Sequence, residues 1–363
     1  MTDTDPAQHP NSTEAPDLEL SVIIPARNEQ RSLPACLASI LSQSEPGFLL
    51  GQQWELIIVN DDSTDNTRAL AAEAAATHAG VLVLNAPPLD LSPNGGFTGK
   101  TNACWTAAQA ARGRYLLFTD ADTIHETNDI SRSLREADRH NAALLSYSPR
   151  QIVTGFWQHA VMPLIFSELA SVYPSKQVND PASRLAAANG QFLLVEREAY
   201  FSVGGHRAVG KSILEDVALA ENIKRGSRTI RFRYAPEALA TRMYWTTSEM
   251  IEGWTKNLAL LLPKPVALAL WRALDILLFF GLPIAAFGLY WLQPWQRNVI
   301  LLVWVRTLWR FYSRVARSNF PALDIAISIL GVPFFIYLLL RSVSRHRFKK
   351  NVLWKGRNYN TAP

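Results

Sequence analysis

The 363-residue sequence predicts an α/β domain with a mostly parallel β-sheet, followed by an apolar helical region. From about residue 20 to residue 119, short buried-strand patterns alternate with helical patterns, as in parallel sheets covered by helices on both faces. From residue 258 to residue 340, Leu, Val, Ile, Phe and Trp dominate, whereas residues 21–257 mix charged and apolar side chains. The average apolar content of 48% conceals this division.

The strand and helix patterns follow one another in a regular order. Residues 20–25 (LSVIIP) form an apolar run that ends at a proline and predicts a buried first strand. Residues 29–42 then place apolar side chains at helical spacing. The remaining patterns predict strands over 54–59, 81–84 and 115–119 and helices over 65–78 and 101–111. Such sheets bind ligands at the carboxyl ends of their strands, which makes the loops there the candidates for function.

Composition and charge disfavour several classes of protein. The net charge is +5, and seven Lys or Arg residues between 341 and 357 lie beside an apolar segment. This placement favours a membrane-surface tail over a nucleic-acid site, and we expect no nucleic-acid partner. Cys36 and Cys104 give neither a disulfide framework nor a metal-binding spacing. Residues 1–18 lack the basic and apolar regions of a signal peptide, so we expect a disordered lead-in.

Two carboxylates directly follow the fourth predicted strand. Asp120 and Asp122 are separated by one residue, so in extended backbone their side chains point the same way. Carboxylate oxygens suit a hard divalent cation that keeps a place for substrate phosphates. For an isolated Asp-x-Asp pair, a polar turn is the commoner explanation. The metal hypothesis therefore depends on agreement with other loops at the same edge of the sheet.

Two further polar loops close the first and second strands. Residues 25–29 (PARNE) follow the first strand, and residues 60–66 (NDDSTDN) follow the second. Asp65 is an expected N-cap for the next helix, because a carboxylate there accepts hydrogen bonds from unpaired amides. A helix cap does not require a second carboxylate at Asp61. This side chain can instead accept a hydrogen bond from the edge of a nucleotide base.

A glycine-rich loop and an acidic pair complete the set. Residues 95–100 (GGFTGK) permit close backbone approach and place Lys100 at a helix start, where phosphate binds, although the spacing is not that of a P-loop. Glu215 and Asp216 precede a helical stretch, 217–224. Carboxylates at a helix start often act as caps. The functional alternative is a general base that takes a proton from an acceptor hydroxyl.

Together these residues resemble the family 2 glycosyltransferases, an inverting group with a Rossmann-like GT-A fold. No single segment is decisive, but their order along about 200 residues is highly specific to the family. The matching segments are 22–29 (VIIPARNE), 58–67 (IVNDDSTDNT), 99–100 (GK), 119–122 (TDAD), 189–191 (NGQ) and 214–216 (LED).

The resemblance implies a nucleotide-sugar donor and assigns residues to it. Pro25 and Glu29 would line the nucleotide pocket. Asp61 would bind the base, and Lys100 would lie at the uridine or diphosphate region. Asp120 would contact the ribose and share the metal.

The resemblance also implies the chemistry of transfer. Asp122 would be a direct ligand of Mg²⁺ or Mn²⁺, a metal that offsets charge on the leaving diphosphate. Asp216 would deprotonate the acceptor oxygen, which attacks the anomeric carbon from the opposite face and inverts it. This is an in-line single displacement with one base.

One family feature is missing. Many processive relatives carry a Gln/Arg-x-x-Arg-Trp motif after the base, whereas residues 250–254 read MIEGW, so only Trp254 remains. Lys256 is a candidate replacement for the missing arginine, and Glu215 is a further candidate at the diphosphate or acceptor. The missing motif favours a single sugar addition over polymerisation.

Three segments resemble a membrane-bound subgroup associated with hopanoid and carotenoid pathways: 204–206 (GGH), 254–257 (WTKN) and 354–359 (WKGRNY). This resemblance implies transfer from a nucleotide-sugar, in our interpretation a UDP-sugar, to a hydroxyl of a lipid-type acceptor. Three alternatives stay open: a polyprenyl-phosphate acceptor, a non-catalytic membrane scaffold, and a nucleotidyltransferase that releases diphosphate.

The apolar region predicts membrane helices. Residues 266–292 and 322–340 approach the roughly 20 apolar residues that a spanning helix needs. In the first of them, Arg272 and Asp275 are close enough to pair on one helix face. Residues 298–318 place four arginines on one face, which fits a short spanning helix or an amphipathic helix at the interface. A cytoplasmic donor and a basic tail on the same side require an even number of crossings, and we favour two.

We therefore expect four segments: a lead-in (1–18), a GT-A catalytic domain (19–257), membrane helices (258–340) and a basic cytoplasmic tail (341–363). This division predicts a multi-pass protein of the inner cell membrane whose catalytic domain faces the cytoplasm. Its acceptor would be a lipid embedded in the bilayer, and residues 254–262 would lie against that bilayer near Asp216. Candidate acceptor-site residues are Phe156, Trp157, His159 and 173–176.

Overall fold

The structure is a computed structural model that describes residues 18–43, 45–90, 96–349, 351–354 and 356–360. The predicted lead-in lies outside these ranges except for Leu18, with which the first strand begins. Gly95 of the glycine-rich loop also lies outside the described residues.

A central sheet organises the first two thirds of the chain. Within the described residues it has seven strands, in the order β3-β2-β1-β4-β8-β6-β9. Neighbours run parallel, except that β8 is antiparallel to both β4 and β6. The strands are β1 Leu18–Ala26, β2 Trp54–Asn60, β3 Val81–Asn85, β4 Gly113–Phe118, β6 Leu144–Ser148, β8 Leu193–Glu196 and β9 Ile230–Tyr234.

Helices cover both faces of this sheet, which confirms the predicted α/β class. Alternate residues of β1 serve the two faces: Val22 and Ile24 are buried in one core, whereas Ile23 is buried in the other. The helices are α1 Leu33–Leu41, α2 Thr67–Thr77, α3 Gly99–Ala110, α4 Asp129–Arg139, α5 Gly155–Val172, α6 Ser175–Val178, α7 Arg197–Ser202, α8 Gly205–Ala208 and α9 Glu215–Arg225.

The helix predicted over 101–111 begins two residues earlier than expected. Thr98 and Thr101 form a reciprocal capping box, in which each side chain accepts a hydrogen bond from the other residue's backbone amide. This cap places Gly99 and Lys100 in the first turn of α3. The lysine is therefore held by regular helix rather than by a loop.

A small sheet joins the end of β4 to the later part of the chain. In the described residues it has the order β5-β10-β7, formed by Thr123–His125, Leu239–Thr241 and Arg150–Gln151. Thr123 of β5 pairs with Thr241 of β10. The segment that follows Asp122 is therefore tied to the segment that precedes α10.

The last third is helical and ends in a hairpin. Its helices are α10 Thr247–Leu261, α11 Pro265–Gly288, α12 Pro294–Val315 and α13 Ala322–Ser344, followed by a π-helical turn Arg345–Lys349 and strands β11 Asn351–Trp354 and β12 Arg357–Asn360. The domain boundary expected at 257/258 falls inside α10. Met250, Trp254 and Leu258 of this helix are buried in one cluster, so a single apolar face continues across the boundary. The expected tail begins at residue 341, but α13 extends to Ser344.

Two helices among the described residues are long and apolar enough to cross a membrane, Pro265–Gly288 and Ala322–Phe348. Arg272 and Asp275 form the expected ion pair within the first of them. The α12 helix joins this pair, because Arg310 lies 3.0 Å from Asp275 and Arg314 lies 3.4 Å from Glu168 of α5. Two arginines of the basic face of α12 thus join this helix to α11 and α5. The number of membrane crossings stays a prediction.

Candidate active site

A cavity of about 640 Å³ opens at the carboxyl ends of β1, β2 and β4, a volume typical of small-molecule sites. It is bounded on one side by α10 and on another by α5. The residues that the sequence assigned to the donor, the metal, the base and the diphosphate line it: Pro25, Glu29, Asp61, Lys100, Asp120, Asp122, Glu215, Asp216, Trp254 and Lys256.

The loop that carries the two predicted metal ligands is held from both sides. The Thr123 hydroxyl donates to the carbonyl of Asp120 at 2.7 Å. The carbonyl of Asp122 accepts the backbone amide of Arg242 at 3.2 Å and the Thr241 hydroxyl at 3.2 Å. With its backbone fixed by β5 and β10, the loop presents both carboxylates to the cavity.

Lys100 connects the metal loop to the acidic pair. Its Nζ lies 2.7 Å from Asp120 Oδ1 and 3.0 Å from Glu215 Oε1. Burial alone would lower the pKa of Lys100, but the negative charges of Asp120 and Glu215 hold it well above its ordinary value. The lysine is therefore a permanent positive charge at the centre of the cavity, suited to a diphosphate.

Asp216 is held by two backbone amides at the start of α9. Gly190 donates to Oδ2 and Val217 to Oδ1, each at 2.8 Å. One oxygen thus accepts an amide of the first turn of α9, whose N-cap is Leu214, while the other accepts an amide of the 189–191 segment. Burial and the charge of Glu215 raise the pKa of Asp216 to about 6, although Lys100 and the two amides oppose the shift.

The neighbouring carboxylate behaves differently. Burial works against ionisation of Glu215, yet the positive charges of Lys100 and Lys256 keep its pKa below the ordinary value. Burial lowers the pKa of Lys256 itself. Two adjacent carboxylates with displaced pKa values are typical of a site that separates a structural charge from a titrating base. The positive charges of the two lysines thus favour ionisation of Glu215, whereas the charge of Glu215 disfavours ionisation of Asp216.

Gly190 is a functional position to which the sequence assigned no role. A Cβ atom there would lie 2.7 Å from Lys100 Nζ and 3.5 Å from Asp216 Oδ2. Only glycine lets the backbone approach both groups while its amide donates to Asp216. The sequence signal for this position was that Gly190 lies in the NGQ segment, which is one of the segments that carry the family resemblance.

Arg27 is a second residue without an assigned role, although it lies inside the quoted PARNE segment. Its Nη1 donates to the backbone carbonyls of Asp61 and Asp62, each at 2.7 Å. The guanidinium therefore joins the loop after β1 to the loop after β2. The expectation that Asp65 is the N-cap of α2 is wrong by one residue: the N-cap is Asn66, and Asp65, just before it, accepts the backbone amide of Thr67 at 3.0 Å.

Part of the cavity wall is apolar. This part includes Phe166 and Leu169 of α5, Met243 and Tyr244 before α10, and Leu261 at its end. Trp254 packs edge-to-face against Phe166 and is buried. Its indole therefore joins α10 to α5 in the wall of the cavity.

The candidate acceptor residues divide into two groups. Residues 173–176 line the cavity as expected. Phe156 and Trp157 are exposed instead, because they begin α5 at the protein surface. His159 lies 2.9 Å from Asp324 of α13 and joins two helices.

The expected metal ligands can be compared with the ligand preferences of a divalent ion. Across the part of the chain that the structure describes, no group of three or more His, Cys, Asp or Glu side chains is arranged to hold a metal ion. Asp120 and Asp122 supply hard carboxylate oxygens, and Mg²⁺ or Mn²⁺ in such sites takes its other ligands from phosphates and water. Burial raises the pKa of nearby Cys36 to about 12, which leaves a thiol unsuited to metal binding. The residues present therefore fit a hard divalent ion.

Comparison with known proteins identifies the family of the chain. Residues 21–201 match the family model described as glycosyl transferase family 2. The 4,4'-diaponeurosporenoate glycosyltransferases of Staphylococcus aureus (strain USA300) and Staphylococcus haemolyticus (strain JCSC1435) are each 27% identical, over 94% of this chain and 88% of theirs. Five of the six segments that carried the resemblance lie within the matched range; the acidic pair lies beyond it.

The fold has a counterpart among solved structures. A mannosyltransferase from Pyrobaculum calidifontis, in complex with GDP-Man and Mn2+, superposes with a TM-score of 0.51 and 16% identity, over 93% of this chain and 89% of that one. At this identity the likeness shows the fold alone. Through residues 21–201 the chain belongs to glycosyl transferase family 2, and it is a glycosyltransferase.

Proposed function

We propose that the chain transfers one sugar, with inversion, from a nucleotide-sugar to a carotenoid-type or similar lipid acceptor. The donor that we propose is a UDP-sugar. The observation that carries this proposal is Asp216, a half-buried carboxylate whose pKa is raised to about 6, in a cavity shared by Lys100 and the Asp120–Asp122 pair. A cavity with charged side chains and an apolar part of its wall fits a polar donor and an apolar acceptor.

The proposed step is a single displacement. Asp216 takes the proton from the acceptor hydroxyl as that oxygen forms a bond to the anomeric carbon. The bond from the anomeric carbon to the diphosphate oxygen breaks, and the nucleoside diphosphate leaves with the electron pair. Lys100 attracts the diphosphate and holds Asp120. Asp120 and Asp122 would hold Mg²⁺ or Mn²⁺, which offsets the charge of the leaving group.

Membrane attachment is part of the proposal. The α11 helix exposes large apolar side chains along its length, among them Leu277 (65% exposed), Ile284 (70%) and Phe287 (69%). A soluble protein rarely exposes such a continuous surface, whereas a lipid-facing helix requires one. We propose an even number of crossings, with the catalytic domain on the cytoplasmic side. The α12 helix runs back along α11, since Trp304 Nε1 donates to the carbonyl of Phe279 at 3.0 Å, and the chain returns to the cavity at Arg317. The helical region and the cavity are therefore adjacent.

A second candidate differs in the acceptor atom. The name of the staphylococcal relatives describes a carboxylate, and an acceptor carboxylate is already ionised. The same holds for a polyprenyl phosphate. For either acceptor a general base contributes little, so the dependence on Asp216 separates both from a hydroxyl acceptor.

The test is a transfer assay with defined products. Detergent-solubilised full-length protein is incubated with radiolabelled UDP-sugars and GDP-sugars, and with a carotenoid alcohol or the matched carotenoid acid. We expect a labelled lipid and one equivalent of nucleoside diphosphate. Release of inorganic diphosphate would instead indicate a nucleotidyltransferase, and absence of lipid label with every donor would refute the membrane acceptor. The anomeric configuration of the product, read by NMR, tests inversion.

A further inference from the structure

The C-terminal hairpin reaches the nucleotide side of the cavity. Strands β11 and β12 pair in antiparallel register, with Trp354 opposite Arg357. Gly356, in the turn between them, has a φ of +76°, a conformation that glycine adopts without strain. Strand β11 lies against α10, the helix that lines the cavity.

The segment before the hairpin is fastened to the same helix. The Ser342 hydroxyl donates to the carbonyl of Thr255 at 2.7 Å and accepts the amide of Ala259 at 2.9 Å. His346 Nε2 lies 2.9 Å from the carbonyl of Lys256. These contacts tie the segment before the hairpin to α10 around Lys256, which lines the cavity. They therefore fix the hairpin relative to the cavity.

Arg357 forms a buried ion pair with Asp61. Its Nη1 donates to Asp61 Oδ2, and its Nη2 lies 3.6 Å from Asp62 Oδ2. The side chains of Arg357 and Asp61 are only 10% and 8% exposed. An ion pair withdrawn from water in this way constrains the orientation of the carboxylate far more than a surface pair does.

The start of α3 makes room for this pair. A Cβ atom at Gly99 would overlap both Arg357 Nη1 and the Asp61 carboxylate. Three distant segments therefore meet at one point: the end of β2, the first residue of α3 and the C-terminal hairpin. Arg27 donates to the backbone carbonyl of Asp61. One arginine thus fixes the backbone of Asp61 and another fixes its carboxylate.

We propose that Arg357 is a positioning residue of the donor site, which orients the Asp61 carboxylate toward the base of the nucleotide. The C-terminal hairpin is then a part of the nucleotide site rather than a tail. This inference rests on the proposed function, since it takes Asp61 as the contact of the donor base.

The test compares nucleotide binding and turnover in full-length variants. Arg357→Gln removes the charge, Arg357→Lys keeps the charge but loses the planar fork, and Arg347→Gln is the matched control at an exposed arginine of the same segment. Calorimetry measures the Kd of UDP and of GDP, steady-state assays give kcat and both KM values, and the Tm reports folding.

For Arg357→Gln we expect the UDP Kd and the donor KM to rise at least about tenfold, with the acceptor KM within about twofold of the wild type. Arg357→Lys should recover part of the loss, and the control should match the wild type. In a protein that already carries Asp61→Asn, the Arg357→Gln change should raise the UDP Kd little further, because both changes act through the Asp61 carboxylate.

Two results would overturn the inference: an unchanged UDP Kd in Arg357→Gln, or a loss confined to kcat or to the acceptor KM. If Arg357→Gln does not fold, the same criteria apply to Arg357→Lys. Failure of the proposed function looks different, since wild-type protein would then bind neither UDP nor GDP and would transfer no sugar.

Discussion

Replacing Asp216 by Asn tests the chemistry most directly. Asn keeps the volume of the side chain but cannot take a proton. Removal of a general base typically costs about 10²–10⁴ in rate, so we expect kcat for a hydroxyl acceptor to fall by that factor. One of the two backbone amides that donate to Asp216 would meet the Asn amide instead of an oxygen. That lost hydrogen bond is worth about 1 kcal/mol, too little to unfold the domain.

The pH dependence gives the same prediction a second readout. Because the pKa of Asp216 is raised to about 6, the base is ionised above that pH and protonated below it. For a hydroxyl acceptor, kcat/KM of the wild type should therefore decline as the pH falls through about 6, and the Asn variant should lose this acid limb. The stability of the fold changes with pH in the opposite direction to the activity. The raised pKa of Asp216 stabilises the folded state below the unfolded pKa of 3.8, and this stabilisation is lost as the pH rises through about 6.

The assay is initial-rate transfer to the carotenoid alcohol, with the UDP Kd and the Tm measured in parallel. Glu221→Gln is the control, since Glu221 lies on the same helix and pairs with Arg225 at the surface. We expect the control to keep wild-type rates and the Asn variant to keep the wild-type UDP Kd. Retention of more than about a tenth of the wild-type kcat with the alcohol would refute Asp216 as the base. If the Asn variant loses little activity with the carotenoid acid but much with the alcohol, the acid is an acceptor that is already ionised.

Further predictions follow from individual contacts. Gly190→Ala should lower kcat at least about tenfold with little change in Tm, because the new methyl displaces Lys100 Nζ; steady-state kinetics and calorimetry check it. Lys100→Met should raise the donor KM at least about tenfold and lower the Tm, since two carboxylates lose their cation. Asp122→Asn should weaken Mn²⁺ binding by about tenfold or more in electron paramagnetic resonance titrations, without sugar donor. Gly331→Val should lower the Tm, because its Cβ would overlap the carbonyl of Ala160 where α13 packs on α5; unchanged melting would contradict that packing.

Much of the site could be predicted because parallel strands place their carboxyl ends at one edge. The loops after β1, β2 and β4 are distant in sequence, yet these strands are neighbours in the sheet. Local patterns were enough to identify each loop, and the topology of the fold then brought them together.

Other features depend on contacts that no local pattern encodes. Arg357 lies 296 residues from Asp61, and nothing in the spacing of a basic tail indicates where a hairpin will dock. Gly190 has a role only because Lys100 and Asp216 approach it in space. The antiparallel direction of β8 is equally invisible in an apolar run. Composition marked a change near residue 258, but a helix with one continuous apolar face does not end where the composition changes.

The continuity of α10 has a consequence for which lipids can react. The helix has 15 residues and is about 22 Å long, and Lys256 lies about 7.5 Å from its end at Leu261. Under the proposed membrane attachment, this rigid helix keeps Lys256 at a constant distance from Leu261, next to which the apolar region begins. A long, stiff molecule with its polar group at one tip can project that far while its body stays in the bilayer. A short lipid with its reactive group flush with the surface cannot, so the protein would select its acceptors by reach as well as by chemistry.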